Sequence, residues 1–169
     1  MDKVAISNNI NYFGSVKLSV SVDGKKYNFH NTGTADLFRV FAKALCGMNI
    51  STSTPYYILG VYTRNNSSAE IQFLKDFIYV TARNFVDDEN GGCARMTASI
   101  RSTDLQNIPT DSSELTGLTF LFKLYAADKQ TVLASVAVPD STMFTGITAA
   151  ARIIVEWSMQ VRNPSEQGE

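Results

Sequence analysis

Val16, Leu18, Val20 and Val22 alternate with Lys17, Ser19 and Ser21, and the same two-residue beat returns over 118–124 and 153–161. Successive side chains of a strand point to opposite faces, so this pattern predicts half-buried strands and fits no helix. Asp23-Gly24 follows the first stretch with the residues a tight turn prefers, and Tyr27 and Phe29 continue its apolar face, which predicts a hairpin. A second hairpin is predicted where Leu118, Phe120, Phe122 and Leu124 lead through Ala127-Asp128-Lys129 into Val132, Ala134, Val136 and Val138. In the last strand Ile153, Val155, Trp157, Met159 and Val161 face one way, and Arg152, Ile154, Glu156, Ser158 and Gln160 face the other.

The middle of the chain carries the same signature less regularly. Tyr56-Tyr57-Ile58-Leu59-Gly60-Val61-Tyr62 is a compact apolar run suited to a strand buried on both sides, and Asn65-Asn66-Ser67-Ser68 ends it. The stretch 70–74 fits neither period clearly. Phe77-Ile78-Tyr79-Val80-Thr81-Ala82-Arg83 is dense in aromatic and β-branched residues and is expected to pair in a sheet. Asp87-Asp88-Glu89-Asn90-Gly91-Gly92 reads as an exposed turn, after which Met96, Ala98 and Ile100 turn inward and Arg95, Thr97, Ser99 and Arg101 outward. The polar stretch 102–117, punctuated by Pro109, is the longest loop, and ordered loops of that length usually serve a purpose.

A single segment has helical spacing. Leu37, Phe38, Phe41 and Leu45, with Val40 and Ala44 beside them, fall three and four residues apart, while Arg39 and Lys43 share another face. Thr34 is placed to cap the first turn, Asp36 puts a negative charge there, and Gly47 can take the left-handed conformation that closes the last turn. The expected fold is therefore mainly β, an antiparallel sandwich or barrel of about eight strands, with one α-helix at about 34–46 packed on it as a lid or spacer. Residues 1–14 read as an N-terminal arm, 15–162 as one domain and 163–169 as a polar, flexible tail. A chain of 169 residues suits one domain and buries roughly two thirds of its unfolded surface.

Charge and pattern bear on several classes of function. The net charge of −1 and the lack of any basic run argue against a nucleic-acid binder that works by releasing counterions. No apolar stretch approaches the roughly 20 residues of a membrane-spanning helix, and the N-terminus lacks the apolar core of a secretory signal. The expected setting is a cytoplasm, where Cys46 and Cys93 are expected to be free thiols.

The search for chemistry ends without a catalytic constellation. His30 is the only histidine, and no Gly-x-Ser-x-Gly elbow or Cys-x-x-Cys pair accompanies it, so neither nucleophilic catalysis nor a metal site is expected. Asp87, Asp88 and Glu89 are adjacent acids in a glycine-rich turn, which reads as a solvated loop rather than a glycosidase pair or an EF-hand. Asn31-Thr32-Gly33-Thr34 precedes a helix but lacks the phosphate-cradling Gly-x-x-x-x-Gly-Lys pattern, so it is read as the turn into that helix. Tyr56, Tyr57, Tyr62, Tyr79, Tyr125 and Trp157 would stack on sugar rings if exposed; strand aromatics more often belong to a core or an interface. No enzyme, cofactor or metal is expected.

The segment Val16 to Val22, Asp23-Gly24-Lys25, His30-Asn31-Thr32-Gly33-Thr34, Leu37-Phe38 and Leu45-Cys46-Gly47 resembles the opening of small virion proteins of tailed bacteriophages. Their closing strand is similar to Ala150-Ala151-Arg152-Ile153-Ile154-Val155-Glu156-Trp157-Ser158-Met159-Gln160-Val161. The likeness is one of pattern over most of the chain, and it implies a neck, collar, tail-ring or accessory protein, as in podovirus-like or crAss-like phages. It implies no catalytic residues. The expected partners are copies of the same chain in a ring and other virion structural proteins, with no nucleic-acid specificity and no membrane. The arm 1–14, the loop 102–117 and the tail after Val161 are the expected reaching elements. The expected location is the virion, assembled in the host cytoplasm, and the alternative is a carbohydrate- or receptor-binding β-sandwich module.

Overall fold

The computed structural model describes residues 13–22, 25–32, 34–48, 54–64, 67–88, 91–109, 111–138, 144 and 152–162. Most of the arm, the tail, the turn residues Asp23-Gly24, Asn65-Asn66 and Glu89-Asn90, and the 139–142 connection lie outside them. Ten strands are present among the described residues: β1 (Phe13–Val22), β2 (Lys25–Thr32), β3 (Tyr57–Arg64), β4 (Glu70–Gln72), β5 (Ile78–Tyr79), β6 (Ala82–Asp88), β7 (Gly91–Arg101), β8 (Leu118–Tyr125), β9 (Val132–Val138) and β10 (Arg152–Arg162). Nine of them are three residues or longer, and the expectation of a mainly β fold holds. They form two antiparallel sheets that face each other without closing into a barrel. Sheet A has the order β2-β1-β10-β7-β6, and sheet B the order β4-β3-β8-β9, with β5 beside β4 on the free side of β3.

The alternations set which residues meet between the sheets. Ala98, Ile100, Ile153, Val155, Trp157 and Met159 of sheet A are buried against Ile58, Tyr62, Phe120, Phe122, Leu124, Ala134 and Val136 of sheet B. β3 is buried on both faces, as its continuous apolar run predicts. At its centre Gly60 receives the ring of Phe73, whose edges meet Phe120, Phe122 and Phe144 at centroid distances of 5.3, 5.4 and 5.3 Å.

Three expectations are revised. Asp87-Asp88 and Gly91-Gly92 do not belong to the turn but pair with each other as the ends of β6 and β7. The stretch 77–83 is not one strand: Ile78–Tyr79 pairs with β3 in sheet B, Val80 and Thr81 turn the corner, and Ala82 begins an edge strand of sheet A. The second hairpin is irregular, because a register shift leaves Leu133 as an extra buried residue between the Leu124–Ala134 and Tyr125–Val132 pairs.

That bulge seats the helix α1 (Ala35–Leu45). The Leu133 carbonyl accepts the Thr34 backbone N–H at 3.1 Å, and the Thr34 hydroxyl donates to the carbonyls of Val132 and Leu133 at 2.9 and 2.7 Å. The same hydroxyl accepts the Leu37 N–H at 3.3 Å, so Thr34 caps the helix and ties it to β9 together. At the other end Gly47 is left-handed with φ 67°, and the Met48 N–H returns to the Lys43 carbonyl at 3.0 Å. The helix crosses the end of the sandwich where β3 begins and β8 turns into β9, with Leu37 in the core and Val40 and Phe41 against it.

The 102–117 loop is fastened down along much of its length. A 3-10 turn at Ser102–Asp104 is followed by a bridge from Leu105 to Leu74. The Gln106 N–H donates to the Phe73 carbonyl at 2.8 Å, and the Tyr62 hydroxyl donates to the Asn107 carbonyl at 3.0 Å. A one-turn helix α2 (Ser112–Leu115) then buries Leu115.

Candidate functional site

Strand register lines up three tyrosines on the outer face of sheet B. Tyr79 of β5 is the partner of Tyr57 on β3, and Tyr57 is the partner of Tyr125 on β8. Phe77, just before β5, meets both neighbours edge-on: its centroid is 6.2 Å from Tyr57 and 5.0 Å from Tyr125, with ring planes at 76° and 89°. Tyr79 and Tyr57 pack at 6.0 Å and 69°. These are the offset geometries that aromatic quadrupoles prefer.

A cation covers part of this row. Lys129 sits in the β8–β9 turn with φ 55°, and its Nζ lies 4.6 Å from the Tyr57 centroid and 5.3 Å from that of Phe77. The left-handed conformation disfavours a side chain such as lysine, and the turn is held by Asp128, whose carboxylate accepts the Gln130 and Thr131 N–H groups at 2.9 Å each. Hydrogen bonds from the Thr131 hydroxyl and these backbone groups hold the exposed Asp128 carboxyl below the usual carboxylate range. Farther along the same face the Lys123 Nζ reaches both carboxylate oxygens of Glu70, at 2.5 and 2.7 Å. Val61 lies on β3 between these two positions, so the ion pair is strapped across it, and Leu59 and Val61 are buried on a face that otherwise meets water.

Tyr79, 49% exposed, also rims a shallow groove of about 380 Å³ with Phe77, Thr81, Ser99, Arg101 and Arg152. Arg101 and Arg152 are register partners on β7 and β10, and like charges placed opposite each other repel. Asp104 relieves this on one side, with its Oδ2 3.5 Å from Arg101 Nε. Ring face, hydroxyls and guanidinium groups together could seat a polar or anionic group stacked on Tyr79.

The structure sorts the other candidates. Tyr56, Tyr62 and Trp157 are core residues. Burial raises the Tyr56 phenol above its ordinary pKa, and the Arg83 guanidinium, 5.5 Å from the ring centroid, partly offsets that. His30 lies in β2 opposite Lys17, and Asp87 and Asp88 end β6 opposite Gly92 and Gly91. Cys46 is exposed and Cys93 buried, and both are free. Among the described residues no three His, Cys, Asp or Glu side chains come together as a metal site would need, and no helix is long and apolar enough to cross a membrane. Phe77 and Lys129 escaped the sequence reading, because only the register of three strands and the turn between two of them bring them to the row.

Sheet A ends on both sides in a strand with no further strand bonded to it among the described residues: β2 of eight residues and β6 of seven. On β6 the register with β7 places Arg83 and Phe85 opposite Met96 and Ala94, on the face turned toward sheet B. Sheet B does not reach that far, and Phe85 is 75% exposed.

Compared with protein-family models, with curated proteins and with solved structures, the chain matches none.

Proposed function

We propose that the chain is a structural component of a bacteriophage virion, forming an oligomeric ring or an accessory layer at the neck or tail through contacts with its own copies and with other virion proteins. One observation carries the reading: two long edge strands of one sheet, β2 and β6, have no further strand hydrogen-bonded to them among the described residues. An open edge is a template for pairing with another chain, and soluble folds usually blunt or cover it. A subunit built to be tiled has a use for such edges on opposite sides of the body. The resemblance of the opening and closing stretches to small virion proteins supports the same reading.

The test is the solution mass of the purified chain by light scattering, followed by negative-stain imaging. A closed ring is the expected result, together with labelling of neck or tail by an antibody on phage particles. A monomer at high concentration that binds no virion component would overturn the reading.

The row Tyr79–Tyr57–Tyr125 favours a second reading, a carbohydrate- or receptor-binding module. It expects hits on a glycan array that are lost in Tyr79→Ala, and an empty array would remove it.

A further inference from the structure

We infer that the groove between Tyr79 and the Arg101–Arg152 pair binds a sugar acid, with the sugar ring stacked against Tyr79 and its carboxylate held between the two guanidinium groups. The inference rests on the second reading above, the carbohydrate-binding module, and states where on the body the sugar sits and what charge it carries.

Arg101 ends β7 and Arg152 begins β10, and the register sets them opposite each other. Opposed positions on neighbouring strands place their Cβ atoms about 4.5–5.5 Å apart, so the two like charges repel. Among the described residues the groove holds one carboxylate to offset them: Asp104 Oδ2 stands 3.5 Å from Arg101 Nε and also accepts the Arg101 backbone N–H at 2.8 Å. Arg152 makes no ion pair among the described residues. Glu156, the next acid along the same face of β10, lies four residues on, about 13 Å along the strand. One positive charge in the groove therefore has no counterion among the described residues. A second carboxylate seated between the guanidinium groups accepts from both and turns their repulsion into two charge-assisted pairs.

The corner at Val80 and Thr81, where the chain leaves sheet B for sheet A, brings Tyr79 to the rim of this groove. Thr81 pins the corner, since its backbone N–H and its hydroxyl both donate to the Thr97 carbonyl, at 2.9 and 3.2 Å. Tyr79 is 49% exposed, yet its ring already packs edge-on with Tyr57 at 6.0 Å, so little freedom is lost when a ligand stacks on it. A sugar ring offers an apolar C–H face to an aromatic and hydroxyls around its edge, and Thr81 and Ser99 present hydroxyls of their own beside Tyr79. A bare anion or an acidic peptide would use the arginines and leave the ring and the hydroxyls idle. Tyr79 and Thr81 also line a second hollow of about 470 Å³ with Val80. The ring thus stands between two hollows, and a glycan of several sugars crosses it.

Isothermal titration calorimetry of the full chain with the trisaccharide of galacturonic acid tests the site, against the same trisaccharide with its carboxylates methyl-esterified. The acid is expected to bind, and the ester to bind about tenfold more weakly or worse. Arg152→Met and Tyr79→Ala are each expected to raise the dissociation constant of the acid about tenfold or more. Arg152→Met also relieves the repulsion with Arg101, so its Tm without ligand is expected to match or exceed that of wild type, while the acid no longer raises it. A residue that only supported the fold would lower Tm when replaced.

Binding of the acid that neither substitution weakens overturns the site and leaves the carbohydrate reading standing elsewhere on the body. An ester that binds as tightly as the acid overturns the charged ligand, and inorganic sulfate or hexaglutamate that binds as tightly overturns the sugar. No binding of the acid at millimolar concentration overturns the inference as a whole: with neutral hits on the glycan array the carbohydrate reading survives it, and with an empty array both fall.

Discussion

Gly60→Ala is the substitution that probes the packing of sheet B most sharply, because its two plausible effects have opposite signs. The φ angle of Gly60 lies outside the left-handed region, so backbone freedom is not what the position needs. An alanine in the middle of a strand is ordinarily favoured over glycine by about 0.5–1 kcal/mol. Here a Cβ would stand 2.3 Å from Phe73 Cζ and 2.6 and 2.7 Å from the two Cε atoms, against an ordinary carbon contact of about 3.5–4 Å. The ring has to retreat by more than about 1 Å. Phe120, Phe122 and Phe144 hem it in, and it is 0% exposed. The backbone is tied as well, since the N–H groups of Phe73 and Leu74 both donate to the Gly60 carbonyl, at 3.0 and 3.3 Å. Overpacking of a core costs about 1–3 kcal/mol, and a ring closed in on every side belongs at the upper end. The expected loss is about 3 kcal/mol, or about 6–12 °C in Tm for a chain of this size. In urea the midpoint falls by about 1.5 M for a slope near 2 kcal/mol/M. The emission of Trp157, the chain's single tryptophan and fully buried, follows the transition. In a Phe73→Leu background the obstructing atoms are gone, and Gly60→Ala is expected to become neutral or stabilising. A Gly60→Ala protein as stable as wild type, or the same loss in both backgrounds, would refute the argument.

Other perturbations test separate parts of the fold. Thr34→Ala removes the helix cap and the hydroxyl's bonds to the Val132 and Leu133 carbonyls while keeping the backbone bond to Leu133, and is expected to cost about 1–2 kcal/mol, with a matching loss of helical circular dichroism on heating. Lys123→Met, which keeps the stem over Val61, is expected to change stability by less than about 0.5 kcal/mol, because the partner Glu70 is 42% exposed and water screens the pair. Lys123→Ala uncovers Leu59 and Val61 and is expected to cost about 1 kcal/mol in urea unfolding. The Asp128 carboxyl is held below its ordinary range by the turn it caps, so its contribution is present above the unfolded carboxylate value near 3.9 and fades as pH falls toward the lower folded value. Unfolding measured from pH 5 to pH 2 is therefore expected to fall less steeply in Asp128→Asn than in wild type.

Local chemistry explains what could be read in advance. Thr34 and Gly47 announce the two ends of α1 because a cap depends on residues a few positions away, and the alternations at 118–124 and 153–159 name the core because a strand's faces are set by its own pleat. What escaped depends on distant partners. The stretch 77–83 keeps a strand's composition while changing sheets, since the sheet it joins is decided by β3 on one side of Val80 and by β7 on the other. Leu133 looks like an outward residue until the bulge turns it in toward the core. The aromatic row needs the register of three strands, and the exposure of Phe85 follows from how far sheet B reaches over sheet A, which no local pattern encodes.

The pairing at the centre of sheet A also dictates the order in which the protein can be built. β1 and β10 are partners from Phe13–Arg162 to Val22–Ile153, positions roughly 130 to 150 residues apart along the chain, whereas β3, β8 and β9 all lie in the stretch between them. During synthesis the strands of sheet B leave the ribosome together and can collapse on their own phenylalanines. The β1–β2 hairpin must wait with one side unpaired until the last strand emerges. That interval is when the nascent chain is most exposed to wrong partners, and slow translation through 139–152 would lengthen it.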